Sequence, residues 1–227
     1  MSLKRTLTRE RVLRSAVALA DADGIAALTM RGLAAELGIE AMSLYHHLPG
    51  KKEELLDGLV DVVADEIATE IDGALGGLDA DDDWRAEVRA RCLAARVVML
   101  RHPWVPGLLA SRASIRPAVF VLYEGALGAM VRGGCSYRLG HQAMHALGSM
   151  VLGFTQELFA LAGPDATDAS PQELSAMASA LPYTTAMVAA ELHDAADPTL
   201  GWCDSQTEFE FTLGLLLDGL ERARAVG

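Results

Sequence analysis

Cysteine is scarce in this sequence: Cys92, Cys135 and Cys203 lie far apart and form no C-x-x-C pattern. A sparse, odd count excludes a disulfide framework and points to a reducing compartment. No apolar h-region follows the basic residues near the start, so no secretory signal is expected. The most apolar stretch, residues 143–161, is broken by His145, Gln156 and Glu157. It reads as a buried helix rather than a membrane span, and no membrane partner is expected. β-Branched runs are few while Ala, Leu, Glu and Arg dominate, so propensity favours helix and no strand pattern appears. P-loop, nucleophile-elbow and dinucleotide motifs are also missing. That leaves an enzyme reading with little beyond Glu157 acting with His141 or His145 as acid and base.

Lysine, too, disappears after Lys52. The 227 residues carry a formal net charge of −12, which taken whole argues against a nucleic-acid binder. The charge is unevenly spread, however: residues 1–52 carry a net +3 and residues 53–227 a net −15. Such asymmetry suggests two parts with different partners. Charges are screened beyond about 8 Å at physiological salt, so a basic end can meet an anion while the acidic bulk stays remote. The acidic bulk itself favours cationic or neutral small molecules over anionic ones.

Helical signals run the length of the chain. Thr8 caps a first helix to about residue 22, with Val12, Leu13, Ala16, Val17 and Ala20 at helical spacing, ended by Asp23-Gly24. Thr29 caps a short helix over 30–37, stopped by Gly38; a third covers 41–47 and ends before Pro49-Gly50. A longer amphipathic helix covers 51–71 through Leu55, Leu56, Leu59, Val63 and Ile67. A loop spans 73–83. Further helices are expected at 84–101, up to about 109, from Pro117 to Gly133-Gly134, and from a Ser136 cap to about 162. A linker follows at 163–170. Capping boxes at Ser170 to Glu173 and Ser205 to Glu208 open helices over 171–195, broken or kinked at Pro182, and over 205–225. The fold class is all-α.

The most informative segment is 28–47. Two short helices separated by Gly38 and a three-residue turn have the geometry of a helix-turn-helix unit. Leu33, Ala34, Leu37, Ile39 and Leu44 supply its small core. The second helix exposes Ala41, Met42, Ser43, Tyr45, His46 and His47, short or hydrogen-bonding side chains suited to a groove and its phosphates. From the pattern alone, a helical hairpin without a ligand stays open as the alternative.

Residues 7–67 resemble the DNA-binding domain of the tetracycline-repressor (TetR) family. The resemblance rests on the amphipathic first helix, Leu28-Thr29-Met30-Arg31, Leu33-Ala34, Leu37-Gly38-Ile39, Leu44-Tyr45-His46-His47 and Lys51-Lys52-Glu53-Glu54-Leu55-Leu56. It implies that Thr29, Ser43, Tyr45, His47 and Lys51 hold phosphates while Arg31, Ala41 and Met42 face base edges. Arg31 is the strongest direct reader, because a guanidinium bonds bidentately to guanine. Lys52 and Arg5 are less specific phosphate contacts.

Weaker motifs extend the resemblance into the family's C-terminal domain: Asp83-Trp84-Arg85, His102-Pro103-Trp104, Leu152-Gly153-Phe154 with Glu157, and Phe209-Glu210-Phe211 through Glu221. It implies a helix-turn-helix domain over 1–52, linked by the helix 51–71 to an effector-binding and dimerisation domain over 53–227. Met144, Leu147 and Val151 on the long helix, and Phe209, Leu213, Leu216 and Leu220 on the last, repeat at three and four residues. In a family that dimerises through these helices, they imply the interface of a homodimer; in a monomer the same seams would be core. The last helix also carries Phe211 and Leu215 and reads as buried nearly all round.

The resemblance also implies a small-molecule cavity. Its candidate liners are Met99, His102, Trp104, Phe120, Tyr123, Leu127, Met130, His141, His145, Ser149, Phe154 and Glu157. His141 and His145 share a helix face, as two metal ligands would, but no third ligand accompanies them. Ser149 stands where tetracycline-binding relatives carry a chelating residue, so neither a magnesium–tetracycline complex nor any cofactor is inferred. The function implied is a cytoplasmic, non-enzymatic repressor released from double-stranded operator DNA by a small molecule. An activator or a ligand-independent DNA binder of the same fold remains the alternative.

Overall fold

The computed structural model describes residues 7–78, 83–155, 179–190 and 205–226. They form ten helices: α1 (Arg9–Asp23), α2 (Met30–Leu37), α3 (Ala41–His47), α4 (Lys51–Leu75), α5 (Trp84–Arg101), α6 (Val105–Ala110), α7 (Pro117–Arg132), α8 (Tyr137–Gly153), α9 (Pro182–Ala190) and α10 (Ser205–Val226). No strand occurs among the described residues. None of these helices is long and apolar enough to cross a membrane.

Local chemistry sets most helix ends. The Thr8 hydroxyl accepts from Arg11 N at 3.2 Å and Thr29 from Gly32 N at 3.0 Å. Asp83 Oδ1 takes both Arg85 N and Ala86 N, and Ser136 takes Leu139 N. Each satisfies an orphan donor of a first turn. Pro117 stands at the first position of α7, where its missing N–H costs nothing. Gly38 ends α2 in the left-handed conformation at φ 66°. α4 runs one turn beyond the expected residue 71, to Leu75, because the break falls at Gly76-Gly77 rather than at Gly73. At Leu181 the chain leaves the helical conformation, as a residue preceding proline tends to, and α9 restarts at Pro182. The expected continuation of α8 to about 162, the linker 163–170 and the Ser170 capping box lie outside the described residues.

The chain divides into two compact units: residues 1–155 with 216–227, and residues 156–215. In the first, α1, α2 and α3 pack on one another and α1 docks on α4. Val12, Leu13, Ala16, Val17 and Ala20 of α1 are all buried, together with Leu28, Leu33, Ala34, Leu44 and Leu48. Gly58 lets α1 approach α4: a Cβ there would stand 2.6 Å from Leu13 Cδ2. α4, α5, α7 and α8 then form the helical body, with α6 against α4. Arg96 is buried on α5 and donates to the Phe154 carbonyl at 2.7 Å, tying down the end of α8. In the second unit, α10 buries Phe209 and Leu213 and leaves Phe211 and Leu215 more than half exposed. That last helix is thus one-sided, not buried all round.

Candidate nucleic-acid interface and effector cavity

α2, the turn 38–40 and α3 form a helix-turn-helix. Gly38 N bonds to Ala35 O and Ile39 N to Ala34 O at 3.0 Å, which folds the chain back after α2. Leu33, Ala34 and Leu44 make its core, with Leu37 and Ile39 half-buried. None of the eight residues expected to meet DNA is buried. Thr29, Arg31, Met42 and Lys51 are exposed, and Ala41, Ser43, Tyr45 and His47 are half-buried. Met42 is 71% exposed, a large cost for an apolar side chain with nothing to cover it. Arg31 and Lys51 make no ion pair among the described residues, which leaves both charges for an outside anion. The Thr29 oxygen already accepts from Gly32 N, so its hydroxyl proton is the group left for a phosphate.

Lys51 adds something that sequence reading missed. Its φ is +58°, the only positive value at a non-glycine among the described residues, and it opens α4 directly after the reading helix. Such a conformation costs of order 1 kcal/mol or more and persists where the surroundings impose it. Gly50 N donates to Glu54 Oε2 at 2.7 Å, which fixes the turn that aims this lysine.

In the body, α4, α5, α7 and α8 enclose an apolar cavity of about 140 Å³. Its walls are Val60, Val63, Ala64, Ile67 and Ile71 of α4; Arg91, Cys92, Ala95 and Met99 of α5; Val119, Leu122, Tyr123 and Ala126 of α7; and Met144, Leu147, Gly148, Val151 and Leu152 of α8, with Leu109 of α6. Burial pushes the Cys92 thiol up to about 12, so it lines the wall as a neutral group. A second chamber of about 330 Å³ at the α6–α7 loop shares Val60, Leu109, Val119, Tyr123 and Leu152 with the first.

These walls include few of the expected liners. Of the candidates, Met99 and Tyr123 line the cavity. Phe120 points outward and is 55% exposed, while Leu127 and Met130 turn away, Met130 into the core. The stripe of α7 that faces the cavity is 119, 122, 123 and 126. The set 120, 123, 127 and 130 has equally good helical spacing but lies about 100° around a helix with apolar residues on several faces. On α8 two faces are exchanged. His141, His145 and Ser149 are exposed, the two imidazoles meeting edge-to-face at 4.8 Å. Met144, Leu147 and Val151, assigned to a dimer seam, face the cavity instead. Polar groups stay in water and apolar ones line the interior. On α10, Phe209 and Leu213 are fully buried within one chain, whereas Leu216 and Leu220 are half-buried. Phe154 lies half-buried at the end of α8, off both chambers; Glu157 lies outside the described residues.

His102 and Trp104 are buried away from the cavity and do other work. His102 Nδ1 lies 2.7 Å from Asp21 Oδ1, and its Nε2 3.0 Å from Glu66 Oε2. Trp104 Nε1 donates to the same Asp21 oxygen at 2.7 Å. Together they clamp α1 of the reader to α4 and to the α5–α6 corner.

Acidic residues spaced four apart on α4 meet arginines of the α6–α7 loop. Arg112 Nη1 bonds to Glu53 at 2.9 Å and Asp57 at 3.2 Å, and Arg116 grips Asp61 through Nε and Nη2. Arg101 reaches Glu70 at 2.8 Å and Glu66 at 3.5 Å. Part of the negative charge along α4 is therefore offset locally. The spacing of Glu53, Asp57 and Asp61 was the available signal.

A capped helix-turn-helix with open cations, joined through one long helix to a chambered helical body, defines a DNA-binding regulator architecture. Residues 12–59 match the family model for bacterial regulatory proteins of the tetR family, and residues 77–224 that of the tetracyclin repressor-like C-terminal domain. The chain belongs to the tetR family. Among curated relatives, it is 42% identical over 115 residues to the HTH-type transcriptional repressor DrrR1 of Streptomyces coeruleorubidus, covering 51% of this chain and 40% of that one. It is 31% identical over 131 residues to an HTH-type transcriptional regulator of Saccharopolyspora erythraea, covering 58% and 52%. The matches thus span about half of those relatives' lengths or less. Apo ActR of Streptomyces coelicolor superposes with a TM-score of 0.71 at 25% identity, covering 98% of this chain and 99% of that one. ActR has also been solved in complex with actinorhodin.

Proposed function

We propose that this chain is a homodimeric transcriptional repressor of the cytoplasm, released from double-stranded operator DNA when a small molecule enters the α4–α8 cavity. It is a regulator and not a catalyst. The division proposed is a reader over 1–52 and an effector-binding, dimerising body over 53–227. The observation that carries this reading is the double role of α4. It starts at Lys51, immediately after the reading helix, and further along supplies five walls of the cavity. A molecule pressing on Val60, Val63 or Ile67 therefore acts on the helix that carries the reader. It shifts the balance between conformers by its differential affinity for them. The clamp of His102 on Asp21 and Glu66 supplies a second link from body to reader.

Dimerisation is supported by apolar side chains left uncovered. Phe211 and Leu215 stand on one face of α10, each more than half exposed. A two-fold pair would set the reading helices about one DNA turn, roughly 34–36 Å, apart.

The test begins with a duplex selected from a random pool by the protein itself. Arg31→Ala and Tyr45→Ala should each weaken binding to that duplex at least about tenfold at fixed salt, with the dimer intact. Unchanged binding by both variants would falsify the reader assignment. A thermal-shift screen of a chemically mixed library should return compounds that stabilise the protein and release the duplex. A screen in which no class of compound does both would remove the effector.

A further inference from the structure

The two chambers adjoin, and every charged side chain lining them is an arginine: Arg91 in the inner one, Arg112 and Arg116 in the outer. Among the described residues no carboxylate lines either chamber. The acids that pair with these arginines approach from outside, along α4 and from Glu87 on α5. An occupant therefore meets apolar walls at one end and guanidinium donors at the other.

The three arginines are not equally engaged. Arg116 holds Asp61 through both Nε and Nη2, and Arg91 holds Glu87 in the same way. Arg112 bonds to Glu53 and Asp57 through Nη1 alone, and its Nε is buried without a partner. A buried donor left unpaired is costly, and an acceptor brought by a ligand removes that cost. The Nε edge of a guanidinium matches the two oxygens of a carboxylate. Glu53, 75% exposed, is a weakly held partner that a desolvated anion can displace.

We propose that the effector is an apolar, ring-bearing carboxylic acid whose first ring fills the inner chamber and whose carboxylate is read by Arg112 at the mouth. This rests on the reading that the cavity takes the effector, and it names the chemistry of that effector. An apolar cavity of about 150 Å³ accommodates one benzene ring, so the inner 140 Å³ holds the first ring and the outer chamber the rest. The acidic body as a whole favours cations, yet screening at about 8 Å lets the local arginines decide. Capture of Arg112 also loosens its hold on Glu53 and Asp57, in the first two turns of α4. Ligand recognition and release of the reader then share one side chain.

The experiment uses the full chain and three probes of matched ring: a naphthylacetic acid, its methyl ester and the corresponding naphthylethylamine. Calorimetry near neutral pH should give the acid at least about a tenfold tighter Kd than either of the others. In Arg112→Gln that advantage should fall to within about threefold while the ester's Kd is unchanged. Arg112→Lys, which keeps the charge but loses the fork, should retain an intermediate preference and keeps the test readable if the Gln variant folds poorly. An ester or amine that binds as tightly as the acid overturns the proposal, as does an acid preference surviving in Arg112→Gln, or no binding by any probe. The effector reading itself fails separately, when no compound of any class in the mixed library releases the selected duplex.

Discussion

The reader and the body of this protein put function in opposite places. Between Thr8 and Lys51 it sits on side chains that project from short capped helices, and the apolar residues serve only to fix the angle between them. From α4 to α8 it sits in space the side chains leave empty, and the polar residues stand outside or at the mouth. A projecting side chain depends on its own helix and its cap. A cavity depends on the rotation of four helices at once. Changes in the two regions should therefore have separable consequences.

The largest separation is expected at Gly148. It lines the cavity, and a Cβ added there meets nothing within 4 Å. Gly148→Leu should occupy the inner chamber and abolish ligand-induced release, while affinity for the selected duplex stays within about twofold. Removing a helical glycine should also add about 0.4–1 kcal/mol of stability. Shift assays with and without a library hit, beside thermal melts, read all three effects. A variant that still responds to ligand would place the effector elsewhere.

A stability effect of intermediate size is expected at Gly133, where α7 ends against Trp84. An added Cβ would run into Cγ and Cδ1 of that indole. Overpacking of this kind costs about 1–3 kcal/mol, so Gly133→Ala should melt several degrees lower. Duplex affinity of the folded fraction should be unchanged, because the damage lies in the body. A matching loss of affinity would mean the two regions are less independent than their architecture suggests.

The smallest effect concerns Glu87. Burial pushes its carboxyl up, but hydrogen bonds and charge from Arg91 and Arg132 outweigh that and hold it below the ordinary 4.5. A lowered carboxylate contributes stability that is complete above its unfolded value and disappears as pH falls through its folded value. Glu87→Gln should therefore be less stable than the parent near neutrality, by under about 1 kcal/mol. The gap should close on acidification below 4.5. A gap independent of pH would assign the effect to packing.

Much of the reader was legible because its signals are local. Thr8, Thr29, Gly24 and Gly38 mark helix ends within one turn of themselves, and the buried stripe of α1 follows from spacing alone. The body's helices were legible for the same reason, since Asp83, Pro117 and Ser136 stand where they cap or start. Which face of each body helix looks inward was not. α7 carries apolar residues on several faces, so 119, 122 and 126 compete with 120, 127 and 130 on equal terms. On α8 the histidines suggested a binding site and the aliphatics an interface, whereas the aliphatics face the cavity and the histidines the outside. The positive φ of Lys51, the pairing of Arg112 and the clamp at His102 escaped notice because each depends on a partner or a backbone angle that spacing does not encode.

That clamp bears on how the molecule comes into being. Asp21 belongs to α1, yet its partners His102 and Trp104 are 81 and 83 positions downstream. A nascent chain can form the three small helices early, but it cannot seat the first of them fully until the α5–α6 corner has emerged. During synthesis the DNA-facing head exists before its orientation does. The α5–α6 corner is thus the last piece that α1 needs in order to seat fully.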